Sequence, residues 1–205
     1  YTSRLGIRYN EIIEFFKTHI KDNPNVELKL LHFFINTGVK DTAYYWSELQ
    51  KNINLYCELK KICPELEMLD IGGGFPIRTK LDFNYDYQYM ADEIIRQIKM
   101  ACDQREVEEP TIVTEFGSFT VGESGGILFS VVGQKQQNDN EVWSMIDSSF
   151  ITTLPDTWGI KQKFILLAIN NWDDEYQRVN LGGITCDSDD YYIMESIRSR
   201  VFLPK

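Results

Sequence analysis

The chain has 205 residues, 43% of them hydrophobic, enough for one large core or two small ones. Its formal net charge of -10 argues against a nucleic-acid binder, because phosphate backbones are held mainly by Lys and Arg. No apolar run is long enough to cross a bilayer, and the opening Tyr1-Thr2-Ser3-Arg4 lacks the basic start and apolar centre of a signal peptide.

Apolar residues at Ile12, Ile13, Phe15, Phe16 and Ile20 form a helical stripe, broken by Asn23-Pro24-Asn25. Val26 to Ile35 is a short apolar run expected as a buried strand. Asp41 is placed to cap the next helix, which runs to about Ile62 and stops before Pro64. A strand from Glu67 to Ile71 leads into Gly72-Gly73-Gly74. A helix from about Tyr85 to Arg105 follows, and Thr111 to Glu115 forms a third strand ending at Phe116-Gly117. This alternation is the grammar of parallel βα units, in which sites gather at the carboxyl ends of strands. A doubly wound sheet and a (β/α) barrel both satisfy it.

After Gly117 the pattern changes. Ile127 to Val132, Glu141 to Asp147, Phe164 to Ile169 and Arg178 to Thr185 are expected as strands, with little helix between them. This predicts two domains, residues 1–124 and 125–205, the second mostly β. Leu203-Pro204-Lys205 supplies no visible closing element, and the chain has no initiator Met, so both ends are expected to lie inside a longer protein. The four cysteines, Cys57, Cys63, Cys102 and Cys186, include no C-x-x-C pair. That disfavours a zinc site or a disulfide framework and points to a reducing, cytoplasmic setting.

Several residues have the chemistry of a site. Three glycines directly after a strand let the backbone turn tightly and bring N–H groups to one point, which suits a phosphate, although an ordinary βα turn is the other reading. Glu115, at the end of its strand, could hold a protonated ring nitrogen or simply pair with a surface Lys. His32 and Phe34 share one strand face, where a ring could stack on a flat ligand or join the core. His19, late in its helix, complements the helix dipole. The run Thr185-Cys186-Asp187-Ser188-Asp189-Asp190 sets a thiol among carboxylates, company that suits a proton donor better than a nucleophile. Those carboxylates suit a cationic substrate or an acidic surface turn. No Ser-His-Asp set and no metal-ligand cluster emerges from the spacing.

Taken together, the segments resemble the fold-type-III pyridoxal phosphate decarboxylases. The matching pieces are Ser3-Arg4-Leu5-Gly6-Ile7, Leu31-His32-Phe33-Phe34, Leu69 through Pro76 and Thr114-Glu115-Phe116-Gly117. Leu154-Pro155-Asp156-Thr157-Trp158-Gly159 and Ile184 through Asp189 are similar to the biosynthetic arginine decarboxylase branch in particular.

The resemblance implies an α/β plus β fold: the C-terminal part of an alanine-racemase-like (β/α)8 barrel, then part of a mostly β domain, in a homodimer or higher homo-oligomer with shared active sites. It implies pyridoxal 5'-phosphate as cofactor, with Mg2+ left open, and a Schiff-base lysine upstream of Tyr1. Gly72, Gly73, Gly74 and Thr37 would hold the phosphate, Glu115 the ring nitrogen, and Phe34 would lie against the ring. Cys186 would protonate the substrate carbon, and Asp187, with Asp156 and Asp189, would meet the basic end of the substrate. The implied reaction is decarboxylation of arginine to agmatine. Ornithine, lysine or diaminopimelate as substrate, and a non-catalytic decarboxylase-like binding protein, are the alternatives. Two departures stand out: Phe34 replaces the family's stacking His, and Ser118 replaces an Arg near the phosphate.

Overall fold

Three short parallel strands open the architecture of the computed structural model, which describes residues 3–192 and 201–205. They are β1 (Leu30–His32), β2 (Met68–Asp70) and β3 (Thr111–Val113), in the order β1-β2-β3. Parallel neighbours need long crossovers, and two helices supply them: α2 (Ala43–Ile62) and α3 (Tyr87–Arg105). A shorter α1 (Ile12–Phe15) precedes β1, flanked by a 3-10 turn at Tyr9–Glu11 and a π turn at Phe16–Ile20. A final short helix, α4 (Gly117–Val121), follows β3.

Helix ends follow local chemistry. Thr42, rather than Asp41, caps α2: its side chain accepts the Tyr45 amide at 3.2 Å. A cap oxygen meets the amide three residues on, and Asp41 lies one residue too early; it takes the Trp46 indole N–H at 2.6 Å instead. Asp86 caps α3 by accepting the Tyr89 amide at 2.9 Å. The apolar faces of α2 and α3 close over the sheet, burying Leu49, Ile53, Tyr56, Leu59, Leu69 and Ile98 almost completely. β1 is much shorter than the run Val26–Ile35, because its ladder extends only as far as its partner β2.

Residues 1–77 and 85–123 make one compact unit, and residues 78–84 and 124–205 make a second. In the second, β4 (Val131–Asn138), β5 (Glu141–Ile146), β6 (Tyr176–Gly182) and β7 (Val201–Pro204) pair in the order β4-β5-β6-β7. The middle pair is parallel and the outer two are antiparallel. Short helices α5 (Phe150–Thr153) and α6 (Pro155–Ile160) follow β5. The core is Ile146, Phe150, Val179, Leu181 and Tyr192.

Three strand expectations need correction here. Ile127–Val132 is not a strand as a whole: the ladder starts at Val131 and runs through the polar Gly133-Gln134-Lys135-Gln136, whose partner β5 provides the apolar side. Phe164–Ile169 has no sheet partner among the described residues, and the Tyr192 hydroxyl occupies both the Phe164 amide and carbonyl, at 2.9 and 3.0 Å. Residues 201–204, expected to form no closing element, pair with β6.

The turn after β6 is organised from inside by Asp190. Its carboxylate accepts the Phe150 amide at 2.8 Å, the Thr185 amide at 3.2 Å and the Thr185 hydroxyl at 2.6 Å. Burial alone would raise its pKa; the hydrogen bonds from Thr185 and Phe150 outweigh that and hold it below the ordinary aspartate range.

Two outcomes follow from this packing. Leu69→Ala removes a fully buried side chain from the first core, and urea unfolding should show a loss of about 2–5 kcal/mol. Asp190 has a lowered folded-state pKa, so its contribution is complete above the unfolded value of about 3.9 and is lost as pH falls through the folded value. Thermal melts across acid pH should therefore fall less steeply in Asp190→Asn than in the wild type.

Candidate functional site

The triple-glycine turn brings together the ends of all three strands of the first sheet. Gly72 and Gly74 adopt φ of 68° and 107°, a region closed to most side chains. A Cβ on Gly72 would sit 2.7 Å from the Phe33 carbonyl, one on Gly73 would sit 2.5 Å from the Glu115 carbonyl, and one on Gly74 would sit 2.8 Å from Gly38 Cα. The glycines are thus needed first for close backbone approach. Hydrogen bonds lock the arrangement: the Glu115 amide donates to the Gly72 carbonyl at 2.9 Å, and the Val39 amide to the Gly74 carbonyl at 2.8 Å.

Not all three glycine amides point to a ligand. The Gly72 N–H donates to Asp70 Oδ1 at 2.8 Å. Those of Gly73 and Gly74 have no protein acceptor among the described residues, and Gly73 is buried. Buried amides are nearly always paired, so two adjacent unclaimed donors in a glycine turn fit an anionic group such as a phosphate.

Around this turn the fold assembles the other expected residues of the first unit. Phe34 is 57% exposed, and its ring edge lies 3.2 Å from where a Gly72 Cβ would be; it is a surface ring beside the turn, not a core residue. Thr37 immediately precedes Gly38, the residue packed on Gly74. Glu115 is exposed and lines a surface depression with Thr114, Phe116, Gly117, Phe119 and Thr120.

Two features were not visible in the spacing. His32 and Asp70 sit opposite each other in the β1–β2 register and join through Nδ1 and Oδ2 at 2.8 Å. With Glu115 they place one donor atom each within 4.8 Å of one another. The strands that carry them lie far apart in sequence, and only the register brings them together. The second feature is an aromatic cluster: Phe75 stacks on Phe116 at 4.1 Å and meets Tyr85, Tyr87 and Phe119 edge-on or nearly so. Tyr85 donates to the Val39 carbonyl at 2.7 Å, and burial pushes its phenol up to about 12, so it stays a neutral donor. Phe75 directly after the glycines and the aromatics at 85 and 87 were the available signal.

Cys186, Asp187, Asp189 and Asp156 belong to the second unit. Cys186, Asp187 and Asp189 share one exposed turn, in which Asp187 Oδ1 accepts the Asp189 amide at 2.8 Å. Asp156 is separate, exposed in the first turn of α6. Of the acidic run, only Asp190 is committed inward. The other three cysteines are buried thiols; Cys57 and Cys102 face each other at 4.0 Å between α2 and α3. No helix among the described residues is long and apolar enough to cross a membrane.

Residues 2–122 match the family described as pyridoxal-dependent decarboxylase, pyridoxal binding domain. Biosynthetic arginine decarboxylase of Prochlorococcus marinus (strain MIT 9215) is 29% identical over 187 residues, covering 84% of this chain and 29% of that protein. Diaminopimelate decarboxylase from Helicobacter pylori, complexed with L-lysine, superposes with a TM-score of 0.79 at 21% identity, over 98% of this chain and 46% of that one. Lysine/ornithine decarboxylase from Vibrio vulnificus, complexed with cadaverine, gives 0.74 at 21% identity, over 99% of this chain and 51% of that one. The chain therefore spans about half the length of these solved structures and less than a third of the curated relative. Its fold is part of a (β/α)8 barrel followed by part of a β domain. The match over residues 2–122 covers more than half of the sequence, and the chain belongs to the pyridoxal-dependent decarboxylase family.

Proposed function

We propose that the full-length protein decarboxylates L-arginine to agmatine and carbon dioxide, with pyridoxal 5'-phosphate as cofactor, in the cytoplasm and in the service of polyamine synthesis. The observation that carries this is the pair of amides at Gly73 and Gly74 that have no protein acceptor among the described residues, in a turn packed against the backbone of Glu115. Such a pairing offers donors to an anion and a carboxylate to a ring nitrogen of the same flat molecule.

Bound pyridoxal phosphate supplies an electron sink for the bond that loses carbon dioxide. The residues of the chain do the rest. Gly73 and Gly74 hold the phosphate through their N–H groups, while Gly72, its own amide engaged by Asp70, shapes the turn. The Thr37 hydroxyl is the nearby side-chain candidate for the same anion. Glu115 keeps a proton on the ring nitrogen, and Phe34 covers the ring by apolar contact where relatives of the family use a histidine. Ser118 offers a hydroxyl in place of a cation, so the phosphate depends more heavily on the turn.

In the second unit, Cys186 is the proton donor to the substrate carbon, and Asp187, with Asp189 and Asp156, receives the guanidinium. Asp187 and Asp189 are exposed and not consumed by internal ion pairs among the described residues. A homodimer with shared sites, built from domains divided near residue 124, completes the reading. It assigns no role to Mg2+.

Arginine is favoured by the Leu154–Gly159 and Ile184–Asp189 stretches and by the arginine decarboxylase relatives. The likeness to lysine/ornithine and diaminopimelate decarboxylases in fold makes those sister reactions the second reading. Carbon dioxide release by the full-length holoprotein, offered arginine, ornithine, lysine and diaminopimelate separately, decides between them: arginine should give the highest kcat/KM, with agmatine as product. In the same assay Glu115→Gln should lower kcat about 100-fold or more with little change in KM. Gly73→Ala, which drives a methyl into the Glu115 carbonyl, should weaken cofactor binding.

A further inference from the structure

Asp70 is almost fully buried, and both of its carboxylate oxygens are engaged: Oδ1 by the Gly72 amide and Oδ2 by His32 Nδ1, each at 2.8 Å. A carboxylate only accepts, so in the second contact His32 Nδ1–H donates to Asp70 Oδ2, which fixes the plane of the imidazole. The His32 side chain is 45% exposed and is not part of the core. Its register opposite Asp70 points it to the face where the chain, two residues past β3, presents Glu115. The backbone of Glu115 is already held by the Gly72 carbonyl, itself in the residue whose amide Asp70 grips. What this leaves unsupported is the Glu115 side chain. Two carboxylates this close repel each other, and the imidazole lies within 4.8 Å of both, where its ring separates the two charges and limits where the Glu115 carboxylate can lie.

We infer that Asp70 and His32 form a positioning pair that sets the Glu115 carboxylate at the cofactor ring nitrogen, with Asp70 clamping both the imidazole and the glycine turn. The inference rests on the reading of Glu115 given above and deepens it. His32 is a positioning residue: it acts through Glu115 and needs no contact with substrate. Asp70 thereby ties the two ends of the cofactor together, because the carboxylate that orients His32 also fixes the turn that offers Gly73 and Gly74.

The test uses the full-length protein loaded with pyridoxal phosphate labelled with 15N in its ring, and reads the ring-nitrogen chemical shift and the cofactor Kd rather than turnover. In the wild type the shift should be that of a protonated nitrogen. His32→Leu, tolerated at a half-exposed position, should move the protonated-to-unprotonated ratio down about tenfold while Kd rises no more than about threefold. Glu115→Gln should move the shift at least as far, and the double variant should move it no further than Glu115→Gln alone, since the two residues act as one unit. Should His32→Leu fail to take up cofactor, His32→Gln is measured in the same way and should give a shift in the same direction. A wild-type shift in the His32 variant, with Glu115→Gln displaced, overturns the positioning pair and leaves the reading of Glu115 standing. An unmoved shift in Glu115→Gln overturns that reading itself.

Discussion

Close approach of backbone to backbone at the triple-glycine turn is the constraint on which the first unit depends. Three strand ends meet there with no space for a single Cβ at Gly72, Gly73 or Gly74. The same crowding that forbids side chains leaves two amides without protein acceptors among the described residues. Structural necessity and the proposed anion recognition are therefore not competing explanations of the glycines. One geometry would serve both, and the amides divide accordingly: the first is engaged by Asp70, and the next two have no acceptor among the described residues.

A buried aspartate recurs as the organising element in each unit. Asp70 gathers a main-chain amide and an imidazole at the end of β2; Asp190 gathers two amides and a hydroxyl after β6. In both cases the cost of burying a carboxylate is offset by several donors converging on it. In both cases exposed residues lie next to the turn so stiffened: Glu115, whose amide is held by the Gly72 carbonyl, beside the first, and Cys186, Asp187 and Asp189 within the second. Groups placed on a turn fixed from within lose little further freedom when they bind.

Much of this was legible in the residues. The βα alternation, the helices α2 and α3 and the glycine turn follow from apolar periodicity, Pro64 and the glycines themselves. Glu115 and the acidic turn were found as chemistry in suggestive places. What escaped has a common physical cause. β4 is an edge strand whose side chains, where described, are exposed, so no apolar alternation marks it, while Phe164–Ile169 looked like a strand but the Tyr192 hydroxyl takes the Phe164 amide and carbonyl. The Asp41 cap was missed by one residue, since either oxygen-bearing side chain fits the pattern and only the amide geometry selects Thr42. The trio of His32, Asp70 and Glu115 is a product of strand register, which no local spacing encodes.

The buried thiols of the first unit have a practical meaning beyond packing. Cys57 and Cys102 meet inside the layer between α2 and α3, Cys63 closes the end of α2, and burial raises all three thiols above their ordinary range. A neutral, water-excluded sulfur does not meet an alkylating reagent until the helices part. The sulfurs are thus internal clocks: once the exposed Cys186 has reacted, the pace at which a maleimide captures the other three counts the openings of the barrel segment, with no substitution needed.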